Sequence, residues 1–110
     1  MAFLGAHAED ERLHIDEFAV AQDRQGRGLG RAMLDTVVAW ARAGRFAAIS
    51  LTTFRGVPFN APFYAKYGFV DWPPDEAPAT IRQRLMYEAS AGLKDRCAMR
   101  LDLSDQRIGP

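Results

Sequence analysis

A single cysteine, Cys97, is all the 110-residue chain contains, which excludes an internal disulfide and any cysteine-rich zinc site. Histidine is nearly as scarce. His7 and His14 are the two present, so no metal is expected. Charge of one sign is lacking too: Lys+Arg and Asp+Glu both number 14, leaving no basic field to draw nucleic acid or an acidic membrane surface. No apolar run approaches the length of a membrane span, and Met1-Ala2-Phe3-Leu4 lacks the basic flank of a signal peptide. The default expectation is therefore a cytoplasmic location. Hydrophobic residues at 48% and charged residues at 25% suit a globular chain, and 110 residues allow one domain, 1–110.

The most informative stretch is Gln25-Gly26-Arg27-Gly28-Leu29-Gly30, between an apolar run and an amphipathic one. Its glycines carry no Cβ to hold a ligand off the backbone. The residues that follow start a helix, so N–H groups without helical partners face outward at the positive end of the dipole. Such a place holds anions, phosphate above all. Arg24, Arg27 and Arg31 add charge around it. The spacing is G-x-G-x-G, one residue short of the dinucleotide fingerprint, and no acidic residue lies between Asp35 and Asp71 to hold a ribose. No Gly-Lys-Ser/Thr follows, so it is not a P-loop either.

Along the chain, residues 3–7 and 13–20 are predicted as strands joined by the charged turn Ala8-Glu9-Asp10-Glu11-Arg12. Residues 29–43 place Leu29, Met33, Leu34, Val37, Val38 and Ala41 on one helical stripe, with Gly44 as the stop. Residues 46–54 read as a buried strand, which completes a β-α-β unit with parallel strands. Asn60 is placed to cap a short helix starting at Ala61 and ending at Gly68. A strand over 69–72, a helix over 79–91 with Ile81, Leu85 and Ala89 spaced by four, and a strand over 96–103 follow. Cys97, Met99, Leu101 and Leu103 share one face of that last strand, and residues 104–110 read as a frayed tail.

Gln25-Gly26-Arg27-Gly28-Leu29-Gly30 fits the pattern Gln/Arg-x-x-Gly-x-Gly/Ala. On it the chain resembles the GCN5-related N-acetyltransferases. A second motif, Asn60-Ala61-Pro62-Phe63-Tyr64-Ala65-Lys66-Tyr67-Gly68-Phe69, resembles that family's other signature, and the two occur in the family's order. The resemblance implies an α/β (mixed α+β) sheet whose central parallel strands splay to admit the cosubstrate. It implies acetyl-CoA as cosubstrate and a primary amine as acceptor. Residues Gln25, Gly26, Arg27, Gly28, Leu29, Gly30 and Arg31 would hold the pyrophosphate. The backbone of Phe18, Ala19 and Val20 would hold the pantetheine arm, the Phe18 amide bonding the acetyl oxygen. Asn60 falls where family members touch the cosubstrate, although its capping role competes.

Tyr64 matches the general acid, since a phenol with a pKa near 10 carries a proton for the leaving thiolate at neutral pH. Tyr67 is its rival, with core packing as the alternative role. For the base, Asp16 and His14 align with acidic base positions of different relatives and share one face of an alternating strand. Glu17 faces the other way unless a bulge re-aims it. A water chain is the alternative. The family usually opens with a strand, two helices and another strand before the strand placed at Phe3, and these form much of the acceptor pocket. The expectation is thus an N-terminally shortened member, with a second subunit supplying the missing wall in a homodimer. The competing function is a non-catalytic CoA-binding sensor or interaction module.

Overall fold

The computed structural model describes residues 2–20, 29–57 and 60–103. In chain order these form β1 (Ala2–Glu9), β2 (Arg12–Val20), α1 (Leu29–Ala43), β3 (Ala48–Phe54), α2 (Ala61–Tyr67), β4 (Val70–Asp71), α3 (Ala79–Ser90) and β5 (Arg96–Asp102). The strands make one mixed sheet in the order β1-β2-β3-β5-β4. Two compact units divide the chain: Met1–Ser50 with Asp102–Pro110, and Leu51–Leu101. Among the described residues no helix is long and apolar enough to cross a membrane.

In the first unit β1 and β2 form an antiparallel hairpin. Its turn is shorter than the sequence suggests. Glu9 pairs with Arg12, so only Asp10 and Glu11 turn the chain, with Asp10 at a φ of 53° that aspartate tolerates better than most residues. The register shifts farther along: Gly5 opposes Glu17 while Ala6 opposes Ile15, which leaves Asp16 without an opposite residue. On its other side β2 pairs with β3 in parallel, Arg12 to Ala48, Leu13 to Ile49 and His14 to Ser50.

Helix α1 buries the expected stripe. Leu34, Val37 and Ala41 are buried, and each fully covered apolar side chain of this size is worth about 1.5–3 kcal/mol. The helix ends at Ala43 as expected, but the residue that turns the chain differs. The Phe46 N–H bonds the Ala41 carbonyl at 2.9 Å and the Arg45 N–H that of Arg42 at 3.0 Å, so Arg45, at a φ of 63°, takes the left-handed position rather than Gly44. Strand β3 accordingly begins at Ala48, two residues later than predicted.

In the second unit α2 ends as predicted. Gly68 adopts a φ of 132°, and the Phe69 N–H reaches back to the Tyr64 carbonyl at 2.9 Å. Asn60 does not cap α2 with its side chain. Its Oδ1 accepts the Thr53 hydroxyl at 3.0 Å instead, which takes the atom a cap would use. Strand β4 shrinks to two exposed residues, although the Trp72 N–H still bonds the Ala98 carbonyl at 2.8 Å.

Helix α3 stops at Ser90 and buries little more than Ile81, with Leu85 half-buried and Ala89 exposed. Ala77, Ile81 and Ala98 cluster with Trp72 and Leu85 against them. Ala98 is therefore buried as well as Cys97, Met99 and Leu101, so β5 is covered on both faces at its centre and does not simply alternate. The far end of α3 is tied down by charge. Glu88 accepts from Thr52 Oγ1 at 2.8 Å and from Arg96 Nε at 3.0 Å, and the Arg96 guanidinium lies 4.5 Å over the Phe54 ring.

Candidate active site

The glycine turn at 25–28, with Arg24, lies outside the described residues, as does the tail from 104. What can be placed is its exit: α1 begins at Leu29, as the motif requires, with no acidic residue in its first turn to neutralise the dipole. Arg31 lies on that turn and is exposed. Phe18, Ala19 and Val20 sit in β2, opposite Leu4, Phe3 and Ala2 of β1. The N–H and C=O groups of this segment that point away from β1 are not used in that pairing. An extended chain-like ligand can use such N–H and C=O groups as an added strand would.

His14 and Asp16 prove unequal. His14 is 1% exposed, and its Nδ1 lies 2.8 Å from Ser50 Oγ. Arg12, also buried, donates from Nε to the same hydroxyl at 3.1 Å. Asp16 is exposed and meets His7, whose Nδ1 lies 2.6 Å from Asp16 Oδ2. The other His7 nitrogen, Nε2, lies 2.6 Å from Glu9 Oε2, and Glu9 Oε1 accepts from Arg12 at 2.5 Å. His7 also stands 5.7 Å from His14, ring to ring, so His14 and Asp16 do lie on the same side of the hairpin. Two flanking carboxylates raise the His7 pKa above its ordinary value, the hydrogen bond from Asp16 contributing most and that from Glu9 next. His7, Glu9, Arg12 and Ser50 were not singled out from sequence. A two-residue turn at Asp10 and Glu11 would have set the register and put His7 opposite His14.

The second unit holds Tyr64 and Asn60. Tyr64 is 5% exposed, with the Phe69 ring at 5.6 Å and the Phe63 ring at 5.4 Å, both edge-on. Burial disfavours the phenolate and pushes its pKa up to about 12, against a smaller downward pull from Arg96. Tyr67, the expected core residue, is only half-buried and lies 6.2 Å from Phe69. The tyrosine singled out for chemistry is thus the better buried of the two. Asn60 is half-buried and held by Thr53, which itself is buried. Cys97 is a buried free thiol whose pKa burial raises, so it is no activated nucleophile.

Comparison with known proteins bears on the fold and the family. The fold matches that of the ribosomal-protein-S18-alanine N-acetyltransferase from Escherichia coli, with a TM-score of 0.68 and 22% identity over 92% of this chain and 60% of that one. It matches N-acetylglutamate synthase from Neisseria gonorrhoeae, complexed with coenzyme A and N-acetyl-glutamate, with a TM-score of 0.68 and 22% identity over 93% of this chain and 22% of that one. An acetyltransferase of the GNAT family from Staphylococcus aureus gives 0.71 and 16% identity over 93% of this chain and 59% of that one. This chain thus spans well under two thirds of the length of each. A model of the acetyltransferase (GNAT) family matches residues 1–69, more than half of the sequence, and the chain belongs to that family.

Proposed function

We propose that this protein transfers the acetyl group of acetyl-CoA to a primary amine. The observation that carries the reading is the family match over residues 1–69, which contains both sequence motifs. The coenzyme A bound to the Neisseria relative of the same fold supports the choice of cosubstrate. Backbone amides from Gln25 to Arg31 hold the pyrophosphate, and the side of β2 away from β1 at Phe18, Ala19 and Val20 takes the pantetheine arm. The Phe18 N–H donates to the thioester oxygen. A preorganised donor aimed at a developing oxyanion is worth about 3–4 kcal/mol in acyl transfer.

The acceptor nitrogen, once deprotonated, attacks the carbonyl carbon, and the C–S bond breaks as the tetrahedral intermediate collapses. Tyr64 donates to the departing sulfur. Its raised pKa keeps the phenol protonated at every physiological pH. Asp16 is the base, supported over His14 by its exposure. Asn60, its Oδ1 already engaged by Thr53, has its amide N–H2 to offer the cosubstrate.

Thiol release from acetyl-CoA across a panel of amines tests this. Amine-dependent release is expected, and tight CoA binding without it would leave the competing reading, a CoA-binding module without turnover.

The assembly that goes with this function is a homodimer. Strand β1 is an edge of the sheet and begins Ala2-Phe3-Leu4-Gly5-Ala6, apolar and without Pro or Lys. Such an edge recruits another strand, and a two-fold pairing closes it.

A further inference from the structure

The hairpin of β1 and β2 places a histidine between two carboxylates at its exposed side, and the arrangement dictates its protonation. An ionised carboxylate only accepts hydrogen bonds. His7 touches Asp16 Oδ2 with Nδ1 and Glu9 Oε2 with Nε2, each at 2.6 Å, so with both carboxylates ionised both contacts are hydrogen bonds only while both ring nitrogens carry hydrogen. Removing one proton leaves a nitrogen lone pair facing a carboxylate oxygen. Besides His7, the charged and titratable side chains that meet here are Glu9 on β1 and Asp16, Arg12 and His14 on β2. With His7 protonated, Asp16, Glu9, Arg12 and His7 balance to no net charge; without that proton they carry one negative charge. Asp16 is also the residue the register shift leaves unopposed, and such bulges re-aim side chains beside active sites.

We propose that His7 and Asp16 form one proton-accepting unit for the acceptor amine, Asp16 meeting the ammonium and His7 storing its proton. The inference rests on the acetyl-transfer reading above. The competent state has His7 neutral and Asp16 ionised, and its single negative charge draws the cationic acceptor. One N–H bond of the ammonium breaks, and its proton passes to Asp16 and on to Nδ1 of His7. The nitrogen keeps the bonding electrons as the lone pair that attacks the thioester. The products of this step are a neutral amine and an imidazolium held between two carboxylates. His7 acts through Asp16, so it is a positioning residue and not one that touches substrate.

Two measurements test the unit. The first is nuclear magnetic resonance of the His7 ring nitrogens: they should lose the second proton at a pH above the ordinary histidine value, and the His7 pKa should fall in Asp16→Asn. The second is kcat/KM against pH. Activity should rise with pH through the pKa of His7, on an acid limb lying above the ordinary histidine value of about 6.5. His7→Gln should lower kcat/KM about 10²-fold and remove that limb, while leaving the KM for acetyl-CoA alone. Glu9→Gln keeps the His7–Asp16 bond and removes one charge, so it should move the limb to lower pH, and it serves if His7→Gln fails to fold. An acid limb indifferent to both variants would overturn the proton role alone. No amine-dependent thiol release at any pH would overturn acetyl transfer and this role with it.

Discussion

Replacing Tyr64 by phenylalanine deletes one oxygen and keeps the ring between Phe63 and Phe69. Burial pushes the Tyr64 phenol up to about 12, from an ordinary value of about 10. At about 1.36 kcal/mol per unit, the fold prefers the neutral phenol by roughly 2–3 kcal/mol. Below pH 10 both folded and unfolded chains hold the proton and the preference is invisible. As pH rises from about 10 to about 12 the unfolded chain ionises first, so this stability is lost across that window. Ultraviolet titration of the wild type, which has three tyrosines, against Tyr64→Phe isolates one phenol. A difference curve with its midpoint near 12 is expected; one near 10 would refute the burial argument. The same variant should lower kcat about 10²-fold, at the weak end of the range for a general acid, because a phenol at 12 surrenders its proton reluctantly. Acetyl-CoA affinity by calorimetry should stay as it is. Wild-type turnover in the variant would show that water protonates the thiolate.

If the turn at 25–30 holds the pyrophosphate as proposed, Gly28→Val should weaken acetyl-CoA binding at least tenfold by calorimetry, with circular dichroism unchanged. Ile81→Ala empties the best-buried site on α3 and should cost about 2–5 kcal/mol in urea unfolding. His7, with its pKa raised in the fold, contributes stability that is complete below about pH 6.5 and disappears as pH rises through the folded-state value. The stability gap between wild type and His7→Gln should therefore close on going alkaline. Light scattering should give more than the 12.3 kDa of one chain, and a soluble monomer at micromolar concentration would remove the case for pairing at β1.

Elements with a strong period were legible. The stripe from Leu29 to Ala41 marks α1 to the residue, and the glycines at 68 and 92 sit where α2 and α3 end, both at positive φ. The misreadings arise where residue type does not reveal the hydrogen-bond partner. Asn60 is a good capping residue by type, but Thr53, seven positions earlier, takes its oxygen. Glu9 and Arg12 look like turn residues because they are charged, yet they bond each other across the ends of β1 and β2 and so extend the strands. Gly44 is the natural residue for a helix stop, but the bonds from Arg45 and Phe46 set the turn one residue on.

The candidate site shows the same limit more sharply. Alternation put His14 and Asp16 on one side of β2, and there they are. It gave no depth. Residue 14 pairs with Ser50 on β3 and is covered, whereas residue 16 opposes no residue of β1 and is exposed. That difference of two positions depends on strand pairing and register, which no local pattern encodes. His7 was hidden for a related reason. Nine residues separate it from Asp16, and only the hairpin register converts that distance into a 2.6 Å contact. Once the register is known, elementary proton counting applies to the pair: a ring with an ionised carboxylate on each nitrogen makes both hydrogen bonds only while it carries a second proton.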